Sequence, residues 1–331
     1  MKKFMNDPKA FVPEMLKGLA LANPDTIVYD PKYNLIVRAD APSDDRVSIV
    51  QGSGSGHEPA HVMVVGEGML DAACPGDIFA APPTDFVLAA ARRVRSDKGV
   101  LLLVNNYTGD RMAFEMAEEL AAAEGIKVRT LFIDDDVAVK DSTYTIGRRG
   151  VAGNFFVIKA VGAAAAAGKD LDEIVRIGEK VNSVTRTMGV ALTACTPPAK
   201  SEPLFDLADD EIELGVGIHG EPGRARQKWV PADELVDLLL DPIVSDLPFS
   251  SGDDVAVMVN GLGGTPISEL YLVYGIVHEK LTAQGITPAR NYVGEYCTAL
   301  DMAGASITLV QLDDEIRELL AAPAEIPIRT F

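Results

Sequence analysis

Among the chain's four histidines, His57 and His219 stand directly among glycines, where little could shield an imidazole. His57 belongs to Gly52-Ser53-Gly54-Ser55-Gly56-His57-Glu58-Pro59-Ala60-His61, and His219 to Gly215-Val216-Gly217-Ile218-His219-Gly220-Glu221-Pro222-Gly223. Each segment follows an apolar, β-branched run, so each imidazole is expected at the end of a strand. A neutral imidazole presented there can serve as nucleophile, base or hydrogen-bonding group. Alternating glycines let backbone amides approach a ligand closely, and Gly54, Ser55 and Gly56 are read as a cradle for an anion or a hydroxyl. A third polar cluster, Asn105-Asn106-Tyr107-Thr108-Gly109-Asp110, follows the apolar run 100–104. In open α/β sheets the ligand crevice lies beyond the carboxyl ends of the strands, so one crevice can collect His57, Asp110 and His219. Asp110 is equally well placed to cap a helix starting near Arg111, and the two roles are compatible.

Nucleotide-binding signatures are absent. Position six of G-x-G-x-x-G is occupied by His57, which breaks the dinucleotide fingerprint. Residues 162–169 have one residue too many between their glycines for a phosphate-binding loop, and Asp170 stands where Ser or Thr is required. Clustered carboxylates bind magnesium, which draws attention to Asp134, Asp135, Asp136 and Asp141. A run at a strand end, followed by Lys140, Arg148 and Arg149, more often makes turns, caps and ion pairs, so no metal site is assigned. Cys74, Cys195 and Cys297 are too widely spaced for a disulfide framework or a zinc site, which fits a reducing cytoplasm.

The elements that must position these residues follow from periodicity. Runs at 26–29, 35–38, 47–50, 100–104, 128–133, 190–194, 211–218, 255–259, 290–293 and 307–312 read as strands. Helical patterns cover 85–95, 111–124, 154–167, 171–188, 231–240, 267–284 and 314–320. Such alternation predicts an α/β fold, with largely parallel or mixed sheets flanked by helices. A junction after the helix 171–188 divides the chain into two α/β domains. Residues 1–188 then carry the His57 loop and Asp110, and residues 189–331 carry His219; the proline-rich, acidic stretch 197–210 is the alternative linker. The alanine-rich segment 163–167 is expected to pack closely on a neighbour.

Composition narrows the partners. With 331 residues, 47% of them hydrophobic, the chain can bury a substantial core. A formal charge of −19 repels phosphate backbones, so no nucleic-acid partner is expected. An uncharged substrate, or a protein partner with a basic patch, is easier to accommodate. No apolar stretch reaches the roughly 20 residues that cross a bilayer. Asn6, Asp7 and Pro8 interrupt the place where a signal peptide would be apolar, so a cytoplasmic location is expected.

Joined together, these segments resemble the dihydroxyacetone kinase family, in particular its substrate-binding subunit. The resemblance rests on Gly54-Ser55-Gly56-His57-Glu58-Pro59-Ala60-His61, Gly68-Met69-Leu70, Ala73-Cys74-Pro75-Gly76, Asn106-Tyr107-Thr108-Gly109-Asp110 and residues 133–141. Gly147-Arg148-Arg149-Gly150, residues 215–223, Tyr296-Cys297-Thr298 and Leu300-Asp301-Met302 complete it. The resemblance implies that His219 forms a covalent hemiaminal with the carbonyl of a short-chain ketose. It also implies that His57 hydrogen-bonds the resulting oxygen and that Asp110 takes the proton from the hydroxyl being phosphorylated. An imidazole nitrogen can add to a ketone, which selects carbonyl compounds over glycerol, and His57 with the glycine-rich amides would supply donors to the developing oxyanion.

No cofactor is expected on this chain itself. Fused members of the family continue into a helical nucleotide-binding domain, so a separate nucleotide-binding kinase subunit is expected to bring ADP or ATP with magnesium. That subunit would use ATP directly or be rephosphorylated by a phosphotransferase-system protein. The family further implies a homodimer. One departure is Asn105, which stands where the family usually has a lysine that contacts substrate oxygen; the shorter side chain leaves room for a four-carbon ketose such as erythrulose. Non-catalytic relatives that sense dihydroxyacetone together with a transcription regulator provide the competing expectation.

Overall fold

Strands rich in Val, Ile and Leu need cover on both faces, and that need dictates the layering here. The computed structural model describes residues 2–139, 147–221 and 223–328. The first part of the chain gives α1 (Phe11–Ala22), β1 (Ile27–Asp30), β2 (Leu35–Arg38), β3 (Ser48–Gln51), β4 (Ala72–Ala73), α2 (Thr84–Val94), β5 (Val100–Asn105), α3 (Thr108–Ala123) and β6 (Val128–Ile133). These strands form a six-stranded sheet of order β1-β2-β4-β3-β5-β6. After α4 (Asn154–Ala166) and α5 (Leu171–Ser183) come β7 (Thr185–Ala191), β8 (Glu211–Leu214), β9 (Ala225–Lys228), α6 (Ala232–Asp246), β10 (Asp254–Gly261), α7 (Ile267–Ala283), β11 (Thr287–Gly294), β12 (Gly304–Gln311) and α8 (Asp314–Ala321). The second sheet is ordered β11-β10-β12-β7-β8-β9.

Five layers result. Residues of α2 and α3 cover one face of the first sheet, and those of α6 and α7 cover one face of the second. Between the sheets lies a shared apolar core, joining Ile49, Leu101 and Leu103 of the first sheet with Ala256, Met258 and Val310 of the second through α4, α5 and α8. Helix α4 is buried from Asn154 to Ala165, the behaviour of a helix that is apolar all round. Its glycine is a point of close approach: a Cβ on Gly162 would fall 2.4 Å from Met69 Cα and 2.6 Å from the Gly68 oxygen. The close packing expected of the alanine-rich region is therefore present, with Ala163–Ala165 buried and Gly162, the residue before them, against the backbone of residues 68–69.

Parallel pairing is confined to β4-β3-β5-β6 and to β10-β11. Every other pair in the second sheet is antiparallel. The sheets are thus mixed, as the sequence allowed: β10 and β11 are the only neighbouring strands of the second sheet joined by a crossover helix, whereas β8 and β9 are joined by a short reversal. The helix expected over 171–188 stops at Ser183, where β-branched Val184, Thr185 and Thr187 favour the extended chain; Thr185 Oγ1 donates to the Val181 carbonyl at 2.6 Å. Residue 188 therefore lies inside β7. We propose that the two units divide at the α5–β7 junction instead.

Among the described residues no helix is long and apolar enough to cross a membrane. Replacing Gly162 by Ala forces the new methyl into the 68–69 backbone and is expected to cost at least about 1–3 kcal/mol, read by chemical denaturation.

Candidate functional site

The end of β3 leads directly into the first histidine segment. Beyond Gln51 the chain stays extended, with Gly76 N–H donating to Ser53 O at 2.9 Å and Ser55 N–H to Asp77 O at 3.0 Å. A Cβ on Gly54 would lie 2.7 Å from Ala80 N, so only glycine lets the two segments meet. The His57 ring then stacks on Phe79, with centroids 5.2 Å apart and planes 18° from parallel. Its Nδ1 is 2.8 Å from the Thr298 carbonyl oxygen. A carbonyl only accepts, so Nδ1 carries the proton and Nε2, which has no partner, offers a lone pair. Burial, with the nearby His219, pushes the His57 pKa down to about 3, which keeps the ring neutral.

The amide cradle expected at Gly54–Gly56 is largely occupied by the protein itself. Ser55 donates its N–H to Asp77, Gly56 donates its N–H to the Glu58 carboxylate at 3.1 Å, and Ser55 Oγ donates to the Gly76 carbonyl at 2.7 Å. This segment serves to deliver His57. Neutral His57 is likewise an acceptor at Nε2, so the oxyanion donors expected from these groups must come from elsewhere.

His219 sits on the reversal between β8 and β9. Strand β8 ends at Leu214, four residues short of the expected limit, because Gly215 turns the chain with φ +72°. Three rings surround the imidazole edge-on: His57 at 4.7 Å, Tyr107 at 4.5 Å and Phe79 at 5.6 Å between centroids. The side chain remains 17% exposed, open to a cleft of about 1090 Å³ that Phe79, Tyr107, Asp110, His219 and Glu221 help to line. Desolvation, with the Arg149 charge and His61, lowers its pKa to about 3, so the nucleophilic form prevails throughout the neutral range. Glu221 accepts the His219 backbone N–H at 2.9 Å and lies 4.0 Å from His219 Nδ1.

Asp110 comes from the opposite sheet. Helix α3 begins at Thr108 with Tyr107 at the N-cap, so Asp110 lies in the first turn, and the capping role is not found. Instead its Oδ2 accepts from Ser53 Oγ at 3.2 Å, and Oδ1 is buried without a partner. Burial raises its pKa to about 8, opposed by the Ser53 bond, which places the carboxyl near the operating range of a general base. Tyr107 Oη is also buried without a partner on the same cleft, a free donor that the sequence did not single out. Asn105 is fully buried at the end of β5, accepts from Gln51 Nε2 at 3.2 Å, and is not part of the cleft's described lining.

A buried ion cluster supports the His219 loop. Arg149, 1% exposed, donates from Nε to Asp136 at 2.7 Å, from Nη2 to the Gly215 carbonyl at 2.6 Å and from Nη1 to Glu221 at 3.3 Å. Asp135 accepts from the amides of Val151 and Gly153, both at 2.8 Å, and Asp134 accepts from Asn182. The acidic run is thus consumed by ion pairs and caps, and the described residues contain no cluster fit for a metal; Lys140 and Asp141 lie outside them. All three cysteines are buried and free.

A neutral imidazole, a buried acid and aromatic walls around one cleft give this mixed two-sheet α/β protein the features of a small-molecule binding site. The Dak1 domain matches residues 17–328, and the chain belongs to that family. It is 46% identical to the PEP-dependent dihydroxyacetone kinase, dihydroxyacetone-binding subunit DhaK, of Escherichia coli (strain K12), over 99% of this chain and 98% of that one. A D-erythrulose kinase of Mycolicibacterium smegmatis is 42% identical over 99% of this chain, which spans 56% of that longer protein. The solved structure of the dihydroxyacetone kinase operon co-activator Dha-DhaQ superposes with a TM-score of 0.89 at 35% identity, over 94% of this chain and 96% of that one.

Arg149→Ala would leave Asp136 and Glu221 without their buried countercharge. A loss of about 3–5 kcal/mol is expected by denaturant titration.

Proposed function

We propose that the chain is the substrate-binding subunit of a dihydroxyacetone-type kinase, holding a short-chain ketose as a hemiaminal on His219 while Asp110 activates its terminal hydroxyl. The observation that carries this reading is the pairing of a neutral His219, partly open to the cleft, with a buried Asp110 on the same cleft. Relatives named for dihydroxyacetone binding and for erythrulose phosphorylation support the substrate class.

Capture needs a nitrogen lone pair and a path for one proton. With Nδ1–H turned toward Glu221, His219 Nε2 adds to the carbonyl carbon as the π bond opens onto oxygen. The Nδ1 proton passes to Glu221 and is relayed through water of the cleft to the new alkoxide oxygen, so the adduct is neutral and Glu221 is left as it began. Tyr107 Oη is the available donor to that oxygen during attack. In the adduct the hydroxyl donates to His57 Nε2, which reverses the direction of hydrogen bonding expected of that histidine. Asp110, once ionised, takes the proton of the ketose's terminal hydroxyl; that oxygen attacks the terminal phosphoryl group of the donor, whose bridging oxygen departs with the bonding electrons. Lys9 and Lys200, exposed at the cleft, meet the incoming phosphoryl charge in an otherwise acidic protein. The nucleotide and magnesium belong to a separate partner subunit, and the chain works as a homodimer in the cytoplasm.

The cleft, at about 1090 Å³, has room for either dihydroxyacetone or a four-carbon ketose. Asn105, expected among the substrate-binding residues, accepts from Gln51 and keeps a buried Nδ2 without a partner. A second reading, a ketose sensor acting with a transcription regulator, is favoured by the likeness to the Dha-DhaQ co-activator. Turnover separates the two: the sensor forms the adduct but yields no ketose phosphate with any nucleotide-binding subunit and magnesium.

His219→Ala is expected to abolish the mass increase seen when ketose adds to the intact protein. Asp110→Asn is expected to keep that adduct, stop turnover, and raise the thermal midpoint at pH 8. The sign of the last effect follows from a carboxyl whose folded pKa exceeds its unfolded value: its ionisation is opposed by the fold, so it lowers stability as pH climbs from about 4 towards 8.

Acidity divides the two steps. Adduct formation, followed by mass spectrometry, should stay level from about pH 5 to 8 because His219 is already neutral, whereas an unperturbed histidine would lose capture below about 6.5. Turnover should rise with pH through a midpoint near 8 as Asp110 ionises.

A further inference from the structure

A second cavity, of about 710 Å³, shares no lining residue with the ketose cleft. Its most unusual wall residue is Lys159, 7% exposed on the otherwise apolar α4. Burying an ammonium group is costly unless something stabilises its charge. Lys159 Nζ donates to the Leu319 carbonyl at 3.1 Å, a neutral partner. The next charge on the cavity wall is of the same sign: Arg290, whose Nε donates to Tyr292 Oη at 2.6 Å. Burial, together with Arg290, lowers the Lys159 pKa to about 8. Glu325 is the only acidic residue in the described lining, and it is exposed.

The remaining wall is aromatic and aliphatic. Phe155 packs edge-on against Tyr296 at 4.9 Å and against Tyr292 at 5.9 Å between centroids, and Met69 and Ile326 extend the apolar surface. Two cations facing one apolar chamber, in a chain of net charge −19, run against the overall electrostatics of the protein. The size of the chamber is within the range of sites for ligands with a substantial apolar body.

We infer that this cavity binds an amphipathic monocarboxylate, its head group on Arg290 and Lys159 and its apolar body along Phe155, Tyr292 and Tyr296. A guanidinium fork and an ammonium group match a carboxylate in charge and geometry, and the anion relieves the repulsion between the two cations. A neutral alcohol of the same chain length leaves that repulsion in place. Phosphate-bearing ligands fit less well, since the walls next to the two cations carry aromatic rings rather than the backbone amides that usually complete a phosphate site.

Decanoate and decanol, titrated calorimetrically into the full-length protein at pH 7, test the assignment. Saturable decanoate binding is expected, with decanol at least about tenfold weaker, because a charge-assisted bond is worth that much or more. Arg290→Gln and Lys159→Met should each weaken decanoate about tenfold or more while leaving the ketose adduct on His219 unchanged, since neither residue lines that cleft. Should Lys159→Met not fold, the partly exposed Arg290 carries the comparison alone. Absence of saturable decanoate binding, equal affinity for decanol, or wild-type affinity in the Arg290 variant would each overturn the inference.

Discussion

A guanidinium sealed from water has to find an acceptor for each arm, and much of the architecture around the capture loop follows from how Arg149 does so. It reaches Asp136 at the end of β6, the Gly215 carbonyl at the end of β8, and the Glu221 carboxylate within the loop itself. One side chain thereby ties the first sheet to the segment that carries His219. Glu221 in turn holds the His219 amide, so the imidazole is steadied from its own backbone. The acidic run at 134–136 is the counterpart of this arrangement, with Asp136 supplying the countercharge and Asp135 fixing the backbone that leads into α4.

Burial decides the protonation states at the site. His57, His61 and His219 are all held neutral because there is little water near them to solvate an imidazolium, and the same dryness drives the Asp110 carboxyl upward. A neutral imidazole and a carboxyl that holds its proton well above the usual carboxylate range sit within one cleft. The two groups therefore answer to pH in different ranges, although they share an environment.

The chemistry-bearing residues were legible because short apolar runs ending in glycine, histidine and aspartate announce strand ends, and strand ends converge. Less visible was what each group faces. The tautomer of His57 depends on the Thr298 carbonyl, 241 residues away in sequence, and the occupation of the Gly56 amide depends on a Glu58 side chain that could as well have pointed to solvent. Arg149 stood within a recognisable motif, yet nothing in the local pattern distinguishes a buried arginine from a surface one. The elements that escaped notice have ordinary reasons. Strand β9 is polar and exposed, β4 is two alanines long, and α1 carries Pro13 and Gly18. Helix α6 runs on past Leu240 through Pro242, where a proline normally argues for a stop. Strand direction in the second sheet was hidden for another reason: it depends on which connections cross over, and a run of apolar residues reads the same in either direction.

His57 rides on the first sheet but takes its orientation from a carbonyl in the loop leading to β12, and Asp110 shares its cleft with His219 of the β8–β9 reversal. Severed at the α5–β7 junction, the front portion would keep Asp110 without His219, and the rear portion would keep His219 without the rings of Phe79 and Tyr107 that wall it. Competence for chemistry is in this sense a property of the seam, and it arises only when both portions have docked around α4.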